Sequence, residues 1–169
     1  MTSVAIRTYT DSDLESCRKL WVELTQHHRD IYGDQTIGGD DPGHYFDDHL
    51  AKVGAENVFL AVDGAAVVGM AGLEKSGDGW LVEPAVVARD RRRGGIGRTL
   101  LAAVVKAARE RRLNSLCVKP VARNASAISF FRDAGFDKLG EVYLYIDFGG
   151  LDKIGWKRGV RLGEEEFEY

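Results

Sequence analysis

Apolar and polar residues change period along this chain, from two to about 3.6 and back, and those changes predict its elements. Val4-Ala5-Ile6-Arg7-Thr8-Tyr9 alternates and reads as a first strand. Thr10 precedes Asp13 at capping-box spacing, and Leu14, Cys17, Leu20, Trp21, Leu24, His28 and Ile31 recur at helical intervals. They predict a helix over about 11–31. The stretch GDQTIGGDDPG from Gly33 to Gly43 reads as a loop, and His44 to Val53 as a second, shorter helix. Val58–Val62 and Ala65–Leu73 are apolar runs joined by Asp63-Gly64, a two-residue hairpin signal. Ser76-Gly77-Asp78-Gly79 then turns the chain into a strand over Trp80–Val87. Pro84 lies inside that strand and cannot donate to a ladder, which predicts an interrupted or bulged pairing there.

After an arginine- and glycine-rich stretch, Ile96, Leu100, Leu101, Val104, Val105 and Ala108 line one side of a further helix. Leu116–Val121 reads as a strand. Ala125–Ala134 reads as a helix stopped by Gly135 in a left-handed cap. Phe136–Phe148 alternates as another strand, and Glu164–Tyr169 reads as a last edge strand. The order predicts one α/β domain over residues 1–169: a mixed, mostly antiparallel twisted sheet flanked by helices.

Composition narrows the function classes. A chain of 169 residues with 44% hydrophobic and 29% charged positions suits an ordinary soluble domain. No basic-then-apolar leader and no apolar run near 18–20 residues is present, so no membrane partner is expected. Cys17 and Cys117 are far apart and read as free buried thiols in a reducing, cytoplasmic setting. His27 and His28 are adjacent, and His44 and His49 are five apart; neither pair suits one metal ion on a helix face. The net charge of −3 conceals a division: residues 1–80 carry 14 acidic and 6 basic side chains, residues 81–150 carry 7 and 13. The basic stretch suits an anionic ligand and the acidic front a cationic one. A pI of about 5.8 argues against nucleic acid as a partner.

The basic charge concentrates in Arg89-Asp90-Arg91-Arg92-Arg93-Gly94-Gly95-Ile96-Gly97-Arg98-Thr99-Leu100, between a predicted strand and a predicted helix. Glycines there let main-chain N–H groups approach a ligand closely, and a helix N-terminus adds free donors and partial positive charge. Together they suit a pyrophosphate. The Gly-Lys-Ser/Thr ending of a nucleoside-triphosphatase loop is missing. Gly95 and Gly97 begin a dinucleotide fingerprint, but Leu100 stands where its third glycine belongs.

Arg92-x-x-Gly95-x-Gly97 resembles the Q/R-x-x-G-x-G/A signature of the GCN5-related N-acetyltransferases (the GNAT family). Asn124, Ala127, Phe130, Gly135 and Phe136 resemble that family's second motif, N-x-x-A-x-x-F-Y-x-x-x-G-F, at the expected distance. The resemblance covers residues 4–148 and implies the acyl-CoA N-acyltransferase fold, with 149–169 as an extension. It implies acetyl-CoA as cosubstrate and transfer to a primary amine, on a small molecule or a peptide. By that resemblance Arg92, Arg93, Gly94, Gly95, Ile96, Gly97, Arg98 and Thr99 hold the pyrophosphate. Val86 and Val87 border the pantetheine arm, between this strand and a splayed Leu116–Val121. Asn124, Ala127, Phe130 and Phe131 complete the cofactor site.

For the chemistry, a main-chain N–H near Val87 would polarise the thioester carbonyl. Glu83 is the candidate general base. The family's helix tyrosine, which protonates the leaving thiolate, is replaced here by Phe131, which cannot donate. Tyr143, or Tyr145, stands either as a substitute acid or as a structural aromatic. Phe131 also motivates an alternative, a non-catalytic acyl-CoA-binding sensor or interaction module. Asp40-Asp41 lies in the loop that commonly borders the acceptor site, either attracting an amine or forming a solvated turn. The acidic front favours a cationic acceptor such as a polyamine or aminoglycoside, and relatives that pair through C-terminal strands make a homodimer an expectation.

Overall fold

A computed structural model describes residues 4–77, 79–149 and 155–169. The chain divides into two compact units, Met1–Thr25 with Gly38–Lys119 and Gln26–Ile37 with Pro120–Tyr169.

The first unit is built on a four-stranded antiparallel meander, β1 (Ala5–Thr8), β2 (Val58–Asp63), β3 (Ala66–Ser76) and β4 (Gly79–Val87), adjacent in that order. A 3-10 turn at Asp11–Asp13 leads into α1 (Leu14–Tyr32), which runs on into the second unit. α2 (Tyr45–Val53) follows the glycine-rich loop, and α3 (Ile96–Glu110) follows β4. The capping box is present: the Asp13 carboxylate accepts the Thr10 N–H at 2.9 Å, and Arg7 donates to its two oxygens at 2.7 and 2.8 Å.

Why β2 reads as an unbroken apolar run follows from its position. Val58, Leu60 and Val62 join Tyr9, Cys17, Leu20, Phe46, Val53, Met70 and Val86 in one cluster with α1 and α2. Phe59 and Ala61 alternate to the other face, and α3 packs on the sheet through a stripe that includes Ile96, Leu100, Leu101, Val104 and Ala108. A strand covered on both faces has no polar side to alternate with. The β2–β3 turn is Gly64-Ala65, one residue beyond the expected Asp63-Gly64, because Asp63 still pairs with Ala66. Burial pushes the Cys17 thiol up to about 12, whereas Cys117, expected to be buried, is exposed.

Three sequence expectations need correction. Leu116–Val121 does not form a strand; only Cys117 bridges to β4, in parallel, its N–H donating to Trp80 O at 2.8 Å and its carbonyl accepting from Val82 N–H at 2.9 Å. Phe136–Phe148 carries the alternating pattern but joins no ladder among the described residues. A pleated segment becomes a strand only beside another edge. The C-terminal residues do not add an edge to the main sheet: β5 (Arg158–Leu162) and β6 (Glu165–Glu168) pair with each other as a separate hairpin.

In the second unit α4 (Ala125–Asp133) ends at Ala134, and Gly135 takes φ +100, the left-handed stop expected for it. Arg123 anchors the unit, donating to Tyr169 O at 2.9 Å and Gly155 O at 2.7 Å while its guanidinium lies 5.2 Å from the Tyr32 ring centre.

Candidate active site

β4 carries the expected irregularity. Ala71 pairs with Ala85 and Leu73 with Val82, so Gly72 alone faces Glu83 and Pro84. Two residues opposite one make a bulge, which re-aims the side chains around it. Only glycine fits opposite: a Cβ on residue 72 would run into the Glu83 carbonyl oxygen.

Beyond the bulge the outer edge of β4 pairs with no strand among the described residues. Trp80 and Val82 bond to Cys117, but no ladder from 118 or 119 continues past Glu83. Ala88 N–H donates inward to Val68 O at 2.9 Å. Neighbouring N–H groups along a strand point to opposite sides, so the Val87 N–H points outward. The Val87 carbonyl also faces that edge, where it accepts Arg92 Nε at 2.9 Å. An extended amide-bearing arm can lie against such an edge as another strand would.

The loop after β4 is braced from outside. Glu23 accepts the Arg89 N–H at 2.8 Å, and Arg91 forms an ion pair with Asp63. A 3-10 turn at Arg89–Arg91 leads to Arg92 in extended conformation; Arg93 takes φ +65 and Gly95 φ +81. Gly95 is the N-cap of α3, its carbonyl accepting the Thr99 N–H at 3.1 Å. No side chain caps the helix among the described residues, and the N–H groups of Ile96, Gly97 and Arg98 lack intrahelical acceptors. Ile96 is buried and anchors the turn, so only its N–H serves the loop. Thr99 Oγ1 donates to Gly95 O at 3.3 Å. Arg93 and Arg98 have no acidic partner among the described residues. Main-chain donors, a helix N-terminus and unpaired guanidinium groups fit the diphosphate of coenzyme A.

Glu83 sits at the bulge, its side chain in contact with solvent. Desolvation nevertheless raises its carboxyl above the usual range and the Glu74 charge adds to this, while Lys52 and Lys119 oppose it. Glu74 is itself bonded by Lys52 Nζ at 2.6 Å. The sequence expectations brought together in this unit are therefore Glu83, Val86, Val87 and Arg92 to Thr99.

The remaining candidates belong to the second unit. Asn124 is the N-cap of α4, its Oδ1 accepting the Ala127 N–H at 3.1 Å and the Ser126 hydroxyl at 2.9 Å. The Asn–Ala spacing of the second motif is thus also a helix-start spacing. Phe131 is buried, edge-on to Phe130 at 5.2 Å and Phe136 at 5.8 Å. Tyr143 is exposed, with its hydroxyl 3.5 Å from Glu141 Oε2. Sequence reasoning missed Glu23, Asp63, Gly72 and His49. For His49 the apolar stripe Phe46, Leu50, Val53 of α2 signals burial and no more.

The family model of the Acetyltransferase (GNAT) family matches residues 17–136. No curated protein matches by sequence. Among solved structures, a mutant of the BH1408 protein from Bacillus halodurans superposes with a TM-score of 0.72 at 19% identity, over 85% of this chain and 99% of that one. A GNAT-family acetyltransferase from Staphylococcus aureus Mu50 gives 0.65 at 17% identity, over 79% and 84%. The aminoglycoside N-acetyltransferase AAC(6')-Iy in complex with CoA gives 0.64 at 18%, over 88% and 97%. These likenesses establish the fold. With a family match across most of its length and an open β4 edge leading into an uncapped, arginine-lined helix start, the chain belongs to the GNAT acetyltransferase family.

Proposed function

We propose that this chain transfers the acetyl group of acetyl-CoA directly to a primary amine in a ternary complex. The observation that carries the reading is the continuity of two features: the edge of β4 beyond the bulge, where no strand pairs among the described residues, and the uncapped N-terminus of α3 reached through Arg92–Gly95. The loop holds the diphosphate, the strand edge aligns the arm, and the Val87 N–H faces the thioester oxygen as negative charge develops on it. Acetyl-CoA supplies the activated acyl carbon. The amine nitrogen bonds to that carbon, the carbon–sulfur bond breaks, and the thiolate takes a proton from solvent or from Tyr143. Glu83, directly or through water, accepts the proton the amine gives up; a carboxyl raised by desolvation holds such a proton better than an ordinary one.

Assignment of Asn124, Ala127, Phe130 and Phe131 to the cofactor rests on the family motif. The match running from the first unit into the second supports treating 1–169 as one N-acetyltransferase domain. The acidic first 80 residues favour a cationic acceptor, and an aminoglycoside N-acetyltransferase among the structural neighbours points the same way. No described helix is long and apolar enough to cross a membrane, in keeping with a cytoplasmic enzyme. A homodimer rests on family habit and is tested by sedimentation.

Thiol release from acetyl-CoA, followed across polyamines, aminoglycosides and peptide amines, tests the reading. Release that depends on an amine supports it; release independent of every amine overturns it. Phe131, lacking a hydroxyl, favours one second reading, a non-catalytic acyl-CoA sensor. That reading requires tight acetyl-CoA binding with no turnover on any amine.

A further inference from the structure

The mechanism above leaves one buried polar group unused. His49 lies on the inner stripe of α2, its side chain 6% exposed, with Nδ1 3.9 Å from Oε2 of Glu74 on β3. The Trp21 ring of α1 tilts against it at 5.4 Å between centroids. Nε2 is buried with no hydrogen-bond partner among the described residues. It points at Gly72: a Cβ there would lie 2.6 Å from Nε2, and the same Cβ would run into the carbonyl oxygen of Glu83. A missing side chain thus brings the free edge of a buried imidazole up to the main chain of the bulge residue.

We propose that His49 is a positioning residue for acetyl transfer, acting through its Nε2 edge on the main chain and charge of Glu83, and that its protonation switches this action off. The inference rests on the reading of Glu83 as the base. Beside the Glu74 carboxylate, Nδ1 keeps its proton, so the neutral ring offers a bare Nε2 lone pair. Nε2 and the Glu83 carbonyl oxygen are then two acceptors bordering one spot. A proton on Nε2 turns the first into a donor, which draws the bulge carbonyl out of this arrangement, and it sets a positive charge near the Glu83 carboxylate. The carboxylate then binds the amine's proton less well.

The charged groups that act on the ring are Glu74 from β3 and Lys52 three residues along α2; β4 brings up the Glu83 main-chain carbonyl, and α1 presents the uncharged Trp21. Burial lowers the imidazole from its usual range, Glu74 opposes this, and Lys52 reinforces it. The neutral, active form is therefore the one present at pH 7.

The test is the pH profile of kcat/KM for wild type, His49→Phe and His49→Gln with one amine, joined to an NMR titration of the His49 ring in wild type and Glu83→Gln. Wild type should fall on the acid side with a slope above one proton, because Glu83 and His49 both titrate. His49→Phe should fall with a slope of one and a plateau reduced on the order of tenfold, short of the 10²–10⁴ a base contributes. His49→Gln keeps an amide without a titrating group and should recover part of the plateau with a slope of one. Glu83→Gln should lower the His49 pKa, since coupling is mutual. A wild-type profile of slope one whose shape His49→Phe leaves unchanged overturns the proposal while acetyl transfer stands. If wild type transfers no acetyl group, the underlying reading of Glu83 fails instead. The NMR arm decides separately: a His49 pKa indifferent to Glu83→Gln overturns the coupling whether or not the variants turn over.

Discussion

Arg92 Nε donates to the Val87 carbonyl across 2.9 Å, so the first residue of the glycine loop is tied to the last residue of the strand before it. That bond acts with the Glu23 and Asp63 contacts in bracing the loop between the strand and the start of α3. Replacing Arg92 with Ala removes this bond and a cation together and should raise the dissociation constant for CoA by about 10- to 100-fold. Arg92→Lys keeps the charge without the Nε donor and should fall between. Calorimetric titration of both variants checks the order.

Gly95 adopts φ +81 and ψ −8 at the start of α3, and a Cβ there would meet nothing within 4 Å. The cost of Gly95→Ala is therefore conformational, about 1–2 kcal/mol. In a domain of this size that lowers Tm by roughly 2–8 °C. Gly95→Asn, which tolerates the left-handed region better, should lose less. CoA affinity should fall in the same order, because the N–H groups after residue 95 turn with it.

Asp13 is 5% exposed and holds Arg7 and the Thr10 N–H. Its bond to Arg7 keeps the carboxyl well below the usual carboxylate range. Asp13→Ala should cost about 2–4 kcal/mol at neutral pH, at the lower end of the range for a broken buried pair because Arg7 is partly in solvent. The unfolded chain takes up this proton near its ordinary pKa and the folded chain only far below it. The stabilisation is therefore complete above about pH 4–5 and drains away as pH falls further. Urea denaturation of wild type and variant from pH 7 to pH 3 should show their difference closing on the acid side.

Glu83→Gln should leave CoA binding intact and lower kcat/KM by about 10²- to 10⁴-fold at neutral pH. Because its carboxyl is raised, the wild-type acid limb should lie above the ordinary glutamate range, and the variant should lose the contribution of that group to it. A variant with wild-type kcat/KM assigns the base elsewhere.

What could be read from the sequence is what is decided locally. Arg92–Gly97 is a contiguous turn whose glycines and following helix specify their own conformation, and it forms as expected. The bulge at Glu83–Pro84 was legible because proline lacks an N–H; that Gly72 must stand opposite it was not, since nothing near residue 72 names its partner. Leu116–Val121 and Phe136–Phe148 have strand composition, but pairing depends on an edge elsewhere in the chain, which periodicity cannot supply. The tail hairpin needed Gly163 at its turn, with φ +64, and the weak alternation of Arg158–Leu162 concealed its first strand. His49 was hidden by its residue type: a histidine within an apolar stripe is ordinary core until the glycine facing it is seen.

The claim beneath all of this is that residues 92–97 grip a diphosphate. Calorimetry with acetyl-CoA and with acetyl-pantetheine, which carries the same thioester without the diphosphate, tests it most directly. The account predicts saturable binding of acetyl-CoA, weakened in Arg92→Ala and Gly95→Ala, and far weaker binding of acetyl-pantetheine that neither substitution alters. Equal affinity for the two, or no binding of acetyl-CoA at millimolar concentration, would contradict it.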